Sequence, residues 1–208
     1  MSRQTVITLL RHGQPYHSQL LLGRADPALT ELGFSQCQQA LVGQRFDLLV
    51  SSPRQRCQQF AEVYAAKQQL LVHTEPRFAE LDFGDWDGMP LTELWQGQHG
   101  DFASYWHNPF TNTPPNGEST LALQQRVVAA LTELAEHSAE RVLVICHGGV
   151  LRVVMAWLFG QTDGNAHLSR LELGYASQLQ LSLFRDDDGT LWPQLLALLP
   201  TPSGGRDD

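Results

Sequence analysis

The sequence contains no run of lysine or arginine, no CxxC pair, no histidine pair of the HExxH or HxxxH kind, and no apolar segment approaching ~18 residues. Each absence closes a class of function. Without a basic run, and with a formal net charge of -8, the chain is not built to neutralise a row of phosphates, so neither nucleic acid nor an anionic membrane is an expected partner. Any anion site must be local. The 3 cysteines, Cys37, Cys57 and Cys146, are odd in number and wrongly spaced for a disulfide framework or a zinc site, so reduced, mostly buried thiols are expected. Val6 to Leu10 is far too short for a signal-peptide core, and a cytoplasmic protein is expected. There is also no Walker-type glycine-rich loop with its lysine and no paired-carboxylate site, so no metal and no cofactor is expected.

What remains is a chain of 208 residues, 42% hydrophobic, without repeats or an internal linker. It reads as one domain over residues 1–200, followed by a flexible tail at 201–208. Val6-Ile7-Thr8-Leu9-Leu10 suits a buried strand and ends abruptly in Arg11-His12-Gly13. Thr30 is placed to cap a helix from Glu31 to about Leu41, packed through Leu32, Phe34 and Leu41. A strand at Phe46–Val50 leads into Ser51-Ser52-Pro53, read as a helix start that puts Arg54 and Arg56 in the first turn. That helix, burying Phe60, Val63 and Tyr64, is followed by a short strand at Leu70–His73.

Residues 77–88 alternate acidic and aromatic side chains and read as a structured loop. Two short helices, at Pro90–Gln96 and Asp101–His107, precede a proline-rich connection at Asn108–Gly117 that reads as mobile. Ser119 caps a long amphipathic helix carrying Leu121, Leu123, Val127, Val128, Leu131 and Leu134. Arg141–Cys146 is the strongest buried-strand signal, followed by His147-Gly148-Gly149 and a helix from Val150 to Phe159. Gln178–Arg185 and Leu191–Leu198 alternate about an Asp-Asp-Asp-Gly turn, as a hairpin does. The whole implies a three-layer α/β/α sandwich, its sheet mostly parallel with an antiparallel C-terminal hairpin, and a lid-like insert at about 82–119 over the carboxyl edge.

At that edge Arg11, His12, Arg56 and His147 can converge. Two guanidiniums and two imidazoles make a pocket for a tetrahedral dianion, because the planar arginine fork pairs with phosphate oxygens. The arginines disfavour protonation of a neighbouring imidazole, so His12 keeps a nucleophilic lone pair. Transfer from an ester also needs a proton donor for the departing alkoxide, and Glu80, Asp82, Asp85 and Asp87 are the candidates. Trp86 and Trp106 read as packing residues, with the wall of a leaving-group pocket as the alternative for either. His17, His73, His99, His107, His137 and His167 read as structural or exposed.

Leu10-Arg11-His12-Gly13, Ser51-Ser52-Pro53-Arg54-Gln55-Arg56-Cys57, Glu80 before Phe83-Gly84-Asp85-Trp86-Asp87-Gly88, and Cys146-His147-Gly148-Gly149-Val150 together resemble the histidine phosphatase superfamily, whose fold is phosphoglycerate mutase-like. The resemblance covers roughly residues 5 to 199. It implies that His12 is the phosphohistidine nucleophile, that Arg11 and Arg56 hold the phosphate, that His147 stabilises the transferring group, and that Glu80 is the general acid. Gly23 also matches the pattern and is assigned to the phosphate. Ser18 stands where many members have asparagine, and Gln14-Pro15 replaces the common Glu-Thr or Glu-Ser; Ser18 is assigned to the phosphate in the asparagine's place. No lysine or arginine occurs between Asp85 and Ser119, where mutases carry basic residues for a second phosphate. The resemblance therefore implies a metal-independent phosphomonoester hydrolase acting on a small-molecule phosphate ester, with alpha-ribazole phosphatases the most similar members. A phosphoglycerate mutase, a sugar-(bis)phosphate phosphatase and a non-catalytic phospholigand-binding module are the alternatives. A homodimer is compatible with the sequence, which does not fix the oligomeric state.

Overall fold

A computed structural model describes residues 3–97 and 101–201. Six strands form one sheet in the order β3-β2-β4-β1-β5-β6, where β1 is Arg3–Arg11, β2 Leu48–Ser51, β3 Val72–Thr74, β4 Arg141–Cys146, β5 Gln178–Arg185 and β6 Leu191–Leu199. The pairs β3–β2, β2–β4 and β4–β1 are parallel, whereas β1–β5 and β5–β6 are antiparallel. The sheet is thus mostly parallel and closes with the hairpin expected from its alternation.

Alternation along each central strand divides the core between the two faces. Leu10, Leu49, Leu143 and Ile145 pack with α1 (Glu31–Ala40) and α2 (Gln55–Gln68), through Cys37, Leu41, Cys57 and Phe60. Ile7, Leu9, Leu48, Val50, Val142 and Val144 face the opposite layer, where Leu123, Val127, Leu131, Val150 and Val154 bury against them. This is the three-layer sandwich. Between α2 and the last helices of the chain lie α3 (Leu91–Trp95) and α4 (Phe102–His107); α5 (Thr120–Leu134) and α6 (Gly148–Leu158) form the second layer, and α7 (Ala166–Ser169) follows them. Ser119 caps α5 as expected, its hydroxyl accepting from the Ala122 N–H.

Three local expectations need correction. The helix after β2 begins at Gln55, with Arg54 as its cap residue. Ser51 is still paired in the sheet, and the cap arrives from a distance: both oxygens of Asp26 accept the Gln55 N–H, at 2.9 and 3.0 Å. Leu32, Val63 and Leu121 are exposed. In α2 the stripe made by Cys57, Phe60, Ala61 and Tyr64 fills the core face and leaves Val63 to its side. The connection read as mobile is tied to the loop before α3: Asp85 N–H donates to the Pro115 carbonyl at 2.9 Å, and Glu118 N–H to that of Asp82 at 2.8 Å. His99 and residues 202–208 of the expected tail lie outside the described residues.

Register sets the site. Arg11 lies opposite Cys146, and Ser51 opposite Ile145, so the chain leaves β1, β2 and β4 at one level of the sheet. Beyond it the exits are still linked, His12 N–H to the Cys146 carbonyl and Ser52 N–H to that of Ile145, both 2.9 Å. The turn after β1 then packs against the first turn of α1 without side chains between them. A Cβ on Gly13 would lie 1.9 Å from the Gly33 carbonyl oxygen. Both partners are backbone, which cannot yield cheaply. Gly13→Ala is expected to destabilise the fold by about 3 kcal/mol, read as a lower urea midpoint at unchanged slope; an unshifted midpoint would show that the turn does not need this close approach.

Candidate active site

His12 and His147 are brought together by strand register alone. Their ring centroids lie 5.2 Å apart, near edge-to-face, and both side chains are buried. His12 Nδ1 is 2.7 Å from the carbonyl oxygen of Gly13. A carbonyl only accepts, so Nδ1 carries the proton. Burial, then the charges of Arg56 and Arg11, hold the His12 pKa well below the ordinary imidazole value, against the smaller opposing effect of the Gly13 bond. A neutral ring with its proton on Nδ1 has its lone pair on Nε2. His147 is held neutral in the same way, chiefly by burial and then by Arg56 and His12. Its Nε2 meets the Ser52 hydroxyl at 2.7 Å, and its Nδ1 is buried without a hydrogen-bond partner among the described residues.

The two arginines are held differently. Arg11 follows the sheet edge, with its guanidinium carbon 4.2 Å from the centre of the Tyr175 ring and Nη1 donating to the Leu173 carbonyl. Arg56 is 0% exposed. Its Nη1 donates to Ala25 at 2.8 Å and its Nη2 to the carbonyls of Leu22 and Gly23 at 3.1 and 3.3 Å. Asp26 lies 3.5 Å from Nη1, while Nε is buried with no partner among the described residues. Arg56 therefore ties the loop after β1 to the start of α2 and sets a positive charge beside both imidazoles. Gly23 enters through its carbonyl.

Glu80 is fixed by backbone donors on both carboxylate oxygens, Oε1 from Leu81 N–H at 3.0 Å and Oε2 from Gly149 N–H at 3.1 Å. A Cβ at residue 149 would fall 2.1 Å from Oε1, so Glu80 keeps this position only opposite a glycine. Asp82, Asp85 and Asp87 have other duties. Asp82 pairs with Arg24 at 3.1 Å, Asp85 accepts from Asn116 and Asp87 from the Ala25 N–H. Arg11, His12, Glu80 and Ser18 line one cavity of about 280 Å³ with Gly148 and Gly149. Tyr105 and Trp106 of α4 and Leu91 of α3 wall the same cavity. Trp86 is core, as read; Trp106 takes the alternative.

Four residues that sequence reasoning missed belong to this region. Ser52 was read as a helix cap, although a hydroxyl one residue after a strand end level with His147 was a usable signal. Tyr175, whose ring centroid is 5.9 Å from that of His12, and Arg152, whose Nη1 holds the carbonyls of His167, Leu168 and Leu171, gave none. His167, read as structural or exposed, is buried in the cavity wall, whereas His17, His73, His107 and His137 are exposed. The three cysteines are free and buried, and burial raises each thiol pKa, that of Cys37 to about 12, so they stay protonated beside the imidazoles. Among the described residues no group of three or more His, Cys, Asp or Glu could hold a metal ion, and no helix is long and apolar enough to cross a membrane.

The family model of the histidine phosphatase superfamily (branch 1) matches residues 7–191. The chain belongs to that superfamily. This histidine phosphatase is 33% identical over 181 residues to an adenosylcobalamin/alpha-ribazole phosphatase of Escherichia coli K12, covering 84% of this chain and 89% of the relative. It is 29% identical over 185 residues to a 2,3-bisphosphoglycerate-dependent phosphoglycerate mutase of Bartonella bacilliformis, covering 83% and 89%. Its fold superposes on a mycobacterial glucosyl-3-phosphoglycerate phosphatase with a TM-score of 0.81 at 26% identity, over 96% of this chain and 99% of that one. The fold is the phosphoglycerate mutase-like one, and the chain is an enzyme of the phosphoric monoester hydrolase class.

The buried imidazoles give the fold a pH dependence of definite sign. His12 and His147 have folded pKa values below the unfolded value of about 6.5, and burial and Arg152 take His167 to about 4. Below about pH 6.5 the unfolded chain binds protons that the folded chain refuses, so this stability is complete above that pH and lost as pH falls. Each histidine contributes a slope of about 1.4 kcal/mol per pH unit while only its unfolded form titrates. Urea unfolding from about pH 7.5 to about pH 5 should show falling stability, with a shallower slope for His167→Phe; a flat profile in the wild type would contradict the burial of neutral imidazoles.

Proposed function

We propose that this enzyme hydrolyses phosphate monoesters through a phosphohistidine on His12, without a metal ion, and that alpha-ribazole 5'-phosphate is its substrate. One observation carries the mechanism: the Nδ1–H to Gly13 bond leaves Nε2 of a neutral, buried His12 as an unprotonated nucleophile. In the first step Nε2 attacks phosphorus in line, the P–O bond to the organic group breaks, and Glu80 gives its proton to the departing alkoxide. The imidazolium so formed keeps its Nδ1–H on the Gly13 carbonyl, where its positive charge strengthens the bond. In the second step a water attacks phosphorus, its proton passes to Glu80, the P–N bond breaks, and inorganic phosphate leaves with His12 restored.

Arg11, Arg56 and His147 hold the phosphoryl oxygens, Arg56 through the Nε that its own loop contacts leave over and His147 through Nδ1. Ser18 and the Gly23 segment complete the rim. The two guanidiniums supply the positive charge that a metal ion supplies in other phosphoryl-transfer sites. The substrate rests on the similarity to the Escherichia coli relative and on a cation-poor insert: the absence of arginine and lysine between Asp85 and Ser119 disfavours a second phosphate and hence mutase action.

Rapid mixing with a radiolabelled phosphate ester should give an acid-labile protein adduct that His12→Ala does not form, together with complete loss of turnover. Glu80→Gln should lower kcat by about 100-fold or more with a good folded signal. Among alpha-ribazole 5'-phosphate, 3-phosphoglycerate and sugar phosphates, the first should show the highest kcat/KM. Undiminished hydrolysis by His12→Ala would overturn the mechanism, and a preference for 3-phosphoglycerate would overturn the substrate.

A further inference from the structure

The reacting groups occupy only one end of the cavity. Away from Arg11, His12 and Glu80 the walls are Leu22, Phe83, Leu91, Leu168, Leu173 and Tyr175. Apolar and aromatic walls favour a flat apolar body. Ser18, Tyr105, Trp106, Thr120, Arg152 and His167 bring polar groups to these walls. Trp106 Nε1 is buried and has no hydrogen-bond partner among the described residues, and the same holds for both ring nitrogens of His167, a residue only 3% exposed. Both residues line the cavity.

A buried polar atom without a partner costs about 1–3 kcal/mol, so three around one chamber need a reason. Local slackness does not supply it, because both residues are anchored through their backbones. The Trp106 carbonyl accepts from Asn165 Nδ2 at 2.9 Å, and the His167 N–H donates to Gln161 Oε1 at 3.2 Å. Arg152 Nη1 grips the His167 carbonyl at 3.1 Å and that of Leu168 at 2.6 Å, while the Phe110 ring lies 5.1 Å from the imidazole. The two polar groups are thus held ready rather than folded away.

Their chemistry is specific. Indole offers one N–H and nothing else. His167 has its pKa lowered to about 4, first by burial and then by Arg152, so near neutral pH its ring presents one donor and one acceptor and no charge. Apart from Arg11, the cation among the lining residues is Arg152, whose Nη1 is engaged by backbone carbonyls. We propose that Trp106 and His167 are specificity-determining contacts for the leaving group, selecting a neutral alcohol that carries a flat heteroaromatic ring and hydrogen-bonding sugar atoms, as an aryl riboside does. This rests on the phosphomonoesterase reading, in which the phosphate sits over His12 and the rest of the ester must enter this chamber. Small carboxylate-bearing alcohols would leave all three polar atoms poorly matched.

The test uses benzimidazole riboside 5'-phosphate, glycerol 2-phosphate and the unphosphorylated riboside with the full chain. Trp106→Phe keeps the ring and removes the N–H, and His167→Phe keeps the volume and removes both nitrogens. Each should lower the ratio of kcat/KM for the riboside phosphate over glycerol 2-phosphate by about tenfold. Each should also weaken calorimetric binding of the riboside alone by a similar factor. A role in folding alone would depress both substrates equally and leave the ratio unmoved, which overturns the proposal. So does failure of the riboside to bind a wild-type enzyme that turns over glycerol 2-phosphate. If the wild type hydrolyses neither ester but binds the riboside with the expected sensitivity to both variants, the chamber stands and the phosphatase reading falls.

Discussion

One hydrogen bond, from His12 Nδ1 to the carbonyl of the next residue, decides what the site can be. It fixes the tautomer, and burial beside two guanidiniums keeps the second nitrogen unprotonated. Reverse the tautomer and the lone pair would face the backbone carbonyl, leaving the ring no free nitrogen with which to attack. The close approach of Gly13 to Gly33 makes this bond geometrically available, since the backbone after β1 could not turn so tightly against α1 with a side chain between them. Sheet register does the rest, delivering His147 from a neighbouring strand end at the same height.

Arg56 shows how one buried cation serves both structure and chemistry. Its Nη atoms collect three carbonyls from the loop that follows β1, and Asp26 from that same loop caps α2. Loop, helix and charge are therefore one unit. Removing the guanidinium would leave buried carbonyls without donors as well as weakening the electrostatic restraint on both imidazoles. Glu80 is held by a comparable device, two backbone N–H groups and a glycine that leaves room for its carboxylate. Arg56 and Glu80 are thus positioned by backbone, the least adjustable part of the molecule.

The layer architecture was legible because short apolar runs at β1, β2 and β4 alternate along the chain with helical segments, and the hairpin because a turn signal separates two alternating runs. Arg11, His12, Arg56 and His147 were legible as candidates because each stands at the end of a strand or the start of a helix, whereas Glu80, in a loop, was singled out from its acidic neighbours only by the resemblance. What escaped was contact between distant segments. The start of α2 was misplaced because its cap is Asp26, far away in sequence, and Ser52 turned from capping to His147. Tyr175 and His167 escaped because the segment after α6 has no periodicity, so nothing local announces that it closes the cavity, and Arg152, within α6, escaped because the carbonyls it holds lie in that segment. Leu32, Val63 and Leu121 show the opposite error, apolar side chains assigned to a core stripe that their neighbours already filled.

The central claim is that free His12 is a neutral imidazole with its proton on Nδ1. Nitrogen-15 NMR of the histidine rings, followed from about pH 8 down to about pH 5, reads this without substrate or turnover. The account predicts one tautomer, Nδ1–H, with no protonation of Nε2 through the ordinary histidine range around pH 6.5. Titration of His12 at about pH 6.5 or above, or a proton on Nε2 at neutral pH, would contradict it.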